Sequence, residues 1–101
     1  MNKRKFRTLD EVEIEYYTKH PKELRGYIEI AFDEYLKDSD ENAFLAALAV
    51  AAKVRGGFGK LSKETGLNRE HLYKALSHKG DPKFSTVIEI IRSLGLSLKV
   101  A

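Results

Sequence analysis

The sequence predicts an all-α domain that closes on one short β-strand, and three observations carry that expectation. Apolar residues recur at helical spacing through several segments, Gly, Pro, Asp and Asn stand between them at cap positions, and residues 96–100 alternate with a period of two. At 101 residues the chain can bury one modest core. It has no Cys, which excludes disulfides, thiolate nucleophiles and Cys-ligated zinc. No apolar run approaches the roughly 18 residues of a membrane span. Residues 1–7 are basic but no apolar stretch follows them, so a secretory signal is not expected and a cytoplasmic location is.

Taken in order, Thr8 and Glu11 have the spacing of a capping box, which opens a short helix over about residues 10–18, although Ile14, Tyr16 and Tyr17 also tolerate a strand. His20-Pro21 ends it, since the residue before Pro avoids helical dihedrals, and Pro21 suits the first turn of the next helix. There Leu24, Tyr27, Ile28, Ala31, Phe32, Tyr35 and Leu36 form one apolar stripe. Asp40 is the expected N-cap of an alanine-rich helix over residues 41–55, which Gly56-Gly57 stops. A helix over about residues 59–65 breaks at Gly66, and Asn68 caps another over about residues 69–76. Residues 77–82 read as a loop. The last helix opens at Phe84 or Ser85, buries Val87, Ile88, Ile91 and Leu94, and ends at Gly95. Leu96, Leu98 and Val100 then alternate with polar or small neighbours, as in a half-exposed strand. That strand either returns within the subunit or pairs with its copy in a dimer.

The charges segregate along the chain. Residues 1–7 carry +4, residues 8–42 carry −7 and residues 43–101 carry +6. Such polarity fits a basic module for one partner and an acidic one for another, or solvated faces that happen to segregate. Within the basic part, two short helices joined by Gly66-Leu67-Asn68 meet the needs of a helix-turn-helix. Leu61, Leu67, Leu72 and Leu76 can seal the angle between them, and Ser62 and Ala75 are small where the helices cross. An αα-hairpin inside a bundle has the same turn chemistry. The surrounding positive charge and the outward set Asn68, Arg69, Glu70, His71, Tyr73 and Lys74 favour DNA binding. Arg69 can address guanine bidentately, Glu70 can accept from cytosine N4, and Lys74 can reach guanine or phosphate. Lys60, Lys79 and Lys83 flank the motif as candidate phosphate contacts.

These residues resemble one family. Thr65-Gly66-Leu67-x-Arg69-Glu70-x-Leu72-Tyr73-Lys74-Ala75-Leu76-Ser77, followed by Gly80-x-Pro82-x-Phe84-Ser85-Thr86, is similar to the small Xre-type helix-turn-helix antitoxins, also called addiction module antidote proteins and related to HigA. The resemblance covers about residues 38–100. It implies a λ-repressor-like helix-turn-helix bundle, with base contacts at Arg69, Glu70 and Lys74 and a phosphate-facing helix start near Phe58, Gly59 and Lys60. It also implies a homodimer on double-stranded operator DNA that represses its own operon and neutralises a RelE/ParE-like, HigB-like toxin. A solitary repressor without a toxin is the alternative. The chain departs from the family pattern in its basic arm at residues 1–7, its tyrosines around Tyr16 and Tyr17, and its Gly56-Gly57-Phe58 junction.

On this reading the chain divides into residues 1–37, a basic arm with an acidic amphipathic helical extension, and residues 38–101, the DNA-binding unit. The acidic extension would complement a basic toxin, with Tyr16, Tyr17, Tyr27 and Tyr35 as candidate interface anchors; the same aromatic residues can equally be core. Enzymatic activity, a cofactor and a metal site are not expected. His20, His71 and His78 lack ligand companions at suitable spacing, and there is no nucleophile elbow, phosphate loop or dinucleotide fingerprint.

Overall fold

The structure, a computed structural model, describes residues 9–77 and 79–100. Among the described residues six α-helices follow one another: α1 (Leu9–Lys19), α2 (Leu24–Asp38), α3 (Glu41–Val54), α4 (Gly57–Thr65), α5 (Arg69–Ala75) and α6 (Phe84–Ser93), with a single 3-10 turn at Pro21–Glu23 between the first two. The segment that tolerated either state is helical as α1. The Thr8 capping box lies outside the described residues. Pro21 opens the 3-10 turn after His20, whose φ of −128° and ψ of 64° lie outside the helical region that a following proline disfavours. Asp40 caps α3 by accepting from the Ala43 amide at 3.2 Å. Helix α4 begins two residues earlier than its sequence pattern indicated, because Gly56 and Gly57 both take positive φ and turn the chain directly from α3 into α4.

Helix α3 is the central element. Its alanines let neighbours approach, and α1, α2 and α4 all pack against it, while α4 in turn carries α5 and α6. The core runs through Leu24, Ile28, Phe44, Leu48, Phe58, Leu61, Leu72 and Ile90, and so unites side chains from both ends of the sequence. Full burial of each aliphatic side chain contributes about 1.5–3 kcal/mol. Two apolar stripes differ from expectation. On α2, Leu24 and Ile28 are buried, but Leu36 is exposed. On α6 the buried residues are Thr86, Ile90 and the capping Leu94, whereas Val87, Ile88 and Ile91 are only half-buried. Ile90 lies on the inward side of that helix, and Ile88 lines an open groove instead.

No β-strand is present among the described residues, which corrects the predicted C-terminal strand. Residues 96–99 do show the expected alternation, with Leu96 buried, Leu98 half-buried, and Ser97 and Lys99 exposed, whereas Val100 breaks it by standing exposed. A strand also needs a ladder partner, and every regular element around this segment is helical. No described helix is long and apolar enough to cross a membrane.

Candidate nucleic-acid interface

The α4–turn–α5 unit is fixed by a dense set of local bonds. Gly66 ends α4 at φ +80°, a conformation that strains any residue with a Cβ, and its amide donates to the Ser62 carbonyl at 2.9 Å. The Ser62 hydroxyl donates across the turn to the Leu67 carbonyl at 2.5 Å, and Thr65 Oγ1 accepts from the Leu67 amide at 3.1 Å. Asn68 then caps α5, its Oδ1 accepting from the His71 amide at 2.7 Å. Leu61, Leu72, Ala75 and Leu76 are buried beneath the turn, and Leu67 is half-buried beside them. The angle between the two helices is thus set by both packing and hydrogen bonds.

Burying one face of α5 leaves the other open. Asn68, Arg69, Glu70, His71, Tyr73 and Lys74 are all exposed, and the first four form the N-terminal end of the helix with its cap. Arg69 and Lys74 make no ion pair among the described residues, so both charges are available to a ligand. Tyr73 is 51% exposed, and one side of its ring rests on Phe58 with centroids 4.5 Å apart. Lys53 lies 6.0 Å from the centre of that Phe58 ring, which adds a cation at the edge of the same surface.

The phosphate candidates occupy the surrounding helix starts and loop. Gly59 is half-buried in the first turn of α4, and Lys60 follows it, exposed, with its stem lying against Gly56. Lys79 stands exposed in the loop after α5, and Lys83 is the extended residue just before α6. Two positioning features escaped the sequence reading. A Cβ at Gly80 would fall 2.4 Å from the Ala75 carbonyl oxygen, so this glycine lets the loop close on the end of α5. Arg55, the C-cap of α3, sends Nη1 to the Leu94 carbonyl at 2.6 Å and ties the α3–α4 corner to the end of α6. Its reach over 39 positions has no local sequence signal.

The tyrosines of the acidic extension form a separate cluster. The Tyr16 hydroxyl donates to Glu23 at 2.7 Å and its ring stacks on His20 at 4.2 Å. Tyr17 packs between Tyr16 and Tyr27, with centroids 5.0 and 4.8 Å away, and the Tyr27 hydroxyl donates to Glu13 at 3.0 Å. Burial, reinforced by the Glu13 charge and hydrogen bond, pushes the Tyr27 phenol well above its ordinary pKa. Burial likewise raises Tyr17, and the hydrogen bond to Glu23 raises Tyr16. Tyr35 stands apart from the other three, against Phe44 at 6.0 Å. Tyr17, Tyr27 and Tyr35 are half-buried against the core, and Tyr16 is the most exposed of the four.

Comparison with known proteins gives this surface its context. A family model described as "Probable addiction module antidote protein" matches residues 8–101. An uncharacterised protein of Haemophilus influenzae (strain ATCC 51907 / DSM 11121 / KW20 / Rd) is 34% identical over 73 residues, which span 72% of this chain and 74% of that relative. No solved structure matches the chain. An antidote answers to a toxin, so membership of such a family implies a toxin partner in general terms. With a match over nearly its whole length, the chain belongs to the family of probable addiction module antidote proteins.

Proposed function

We propose that this antidote is the antitoxin of a toxin–antitoxin module, that it binds operator DNA through α4 and α5 and represses its own operon as a homodimer, and that it neutralises a RelE/ParE-like, HigB-like toxin. One observation supports DNA binding most: Arg69, Glu70 and Lys74 project from an α5 whose cap, turn and buried face are all satisfied internally. A recognition helix needs that combination of a rigid mount and uncommitted side chains. Arg69 reads guanine, Glu70 reads cytosine, and Lys74 reaches guanine or a phosphate. Lys60, Lys79, Lys83 and the amide at Gly59 hold the backbone on either side and fix the register. Two copies set their α5 helices about 34 Å apart, one turn of the duplex, on a palindromic site.

The acidic extension supplies the toxin-facing side. Its negative balance suits the basic surface of an RNA-directed toxin, and Tyr16 is the aromatic group best placed to reach a partner. Fluorescence anisotropy on the DNA upstream of the gene tests the first half. Nanomolar, salt-sensitive binding by the wild type is expected, and Arg69→Ala or Lys74→Ala should each weaken it by about 1–3 kcal/mol. Unchanged affinity in both variants refutes the assignment to α5. Co-purification of the neighbouring gene's product tests the second half, and its failure leaves a solitary repressor.

A further inference from the structure

Residues 96–100 leave the end of α6 as an extended segment whose two flanks both open onto grooves. On one flank lies a polar groove lined by Arg25, Glu29, Asp33 and Ser97. On the other lies an apolar groove of about 490 Å³, with Phe32, Phe44, Val87, Ile88 and Ile91 as floor and walls. Leu98 lines both. The amides of residues 97–100 have no hydrogen-bond partner among the described residues. Two large apolar side chains stand open on the rim of the apolar groove, Phe84 at 79% exposure and Val100 at 73%. An unpaired extended edge beside an uncovered apolar surface is a template for another strand.

We propose that a second copy of this chain covers this surface, with residues 96–100 of the two copies pairing as an antiparallel β-ribbon about a two-fold axis at Leu98. The inference rests on the homodimer of the preceding section and locates its interface. Self-pairing is favoured because the segment carries both halves of what it lacks. Under a two-fold each copy supplies the donors and acceptors that the other needs, and the groove of one closes against the groove of the other. Pairing centred on Leu98 sets the exposed Val100 opposite the buried Leu96, on the apolar face. It also sets Lys99 opposite Ser97 on the polar face, where each groove balances Glu29 and Asp33 against Arg25 and its own Lys99. A register centred one residue later would bring the two Lys99 ammonium groups face to face. None of the α5 residues lines either groove, so the recognition helices stay uncovered.

The full chain tests this by light scattering after gel filtration, with far-UV circular dichroism as the check on folding. The wild type should have twice the mass of the chain. Phe84→Glu/Val100→Glu, which alters two exposed positions, should halve that mass at unchanged helicity and weaken operator binding about a hundredfold or more through lost avidity. The absence of native Cys permits a second test. Oxidised Leu98→Cys should run as a covalent dimer, and Lys63→Cys, on α4, should not. A Phe84→Glu/Val100→Glu protein that stays dimeric, or a Leu98→Cys dimer that does not cross-link, overturns the interface while leaving the homodimer intact. A wild type that is monomeric at every concentration overturns both, and α5 can then still be tested on a half-site.

Discussion

Single residues decide how firmly α5, the proposed recognition helix, is mounted. Asn68 holds the first turn of α5 through one side-chain bond, and Asn68→Ala should lower stability by about 1 kcal/mol in a thermal melt. Gly80→Ala should be destabilising by about 1–3 kcal/mol, because its methyl would meet the Ala75 carbonyl and the loop would have to withdraw. The two residues differ in how legible they are. Asn68 and Gly66 announce themselves because a cap and a left-handed turn are satisfied within a few neighbours in the chain. The sequence marks Gly80 as a loop glycine, yet the carbonyl it must clear lies on the preceding helix and is known only from the packed structure. The five outward residues of α5 were legible for a simpler reason: once Leu72 and Ala75 face inward, helical spacing assigns the rest.

At the scale of elements, α1 and the α5 unit are held in contrasting ways. α5 buries Leu72, Ala75 and the following Leu76, whereas no residue from Asp10 to Lys19 is fully buried and α1 is clasped by tyrosine–carboxylate bonds. Those phenols make the clasp sensitive to alkali. Tyr17 and Tyr27 are raised above the unfolded value near 10, so the folded chain keeps protons that the unfolded chain releases. Their stabilisation is therefore fully present below about pH 10 and declines as pH rises toward the folded values. Alkaline titration should show α1 detaching before the core melts, read as tyrosinate absorbance appearing ahead of the main loss of helicity. Tyr27→Phe should reduce that pH dependence. The strand at residues 96–100 marks the limit of a single sequence at this scale. Its alternation was readable, but a ladder needs a second strand, and among the described residues every regular element is helical.

For the whole molecule, one core joins the acidic extension to the basic unit. Leu24 and Ile28 of α2 share it with Leu72 and Ile90, so damage anywhere in it should reach the proposed DNA surface. Ile90→Ala should lower global stability by about 2–5 kcal/mol and shift one cooperative melting transition rather than split it. The sequence missed Ile90 because several apolar residues crowd α6, and only packing against α4 selects which face turns inward. On the proposed function, the Arg55–Leu94 bond has a consequence for operator choice. It braces the α3–α4 corner against the point where residues 96–100 depart, so in the proposed dimer the distance between two half-sites becomes a dimension of the fold rather than of a flexible hinge. Arg55→Met should keep its affinity for an isolated half-site yet tolerate operators whose spacer is lengthened by a base pair, a ruler with its brace removed.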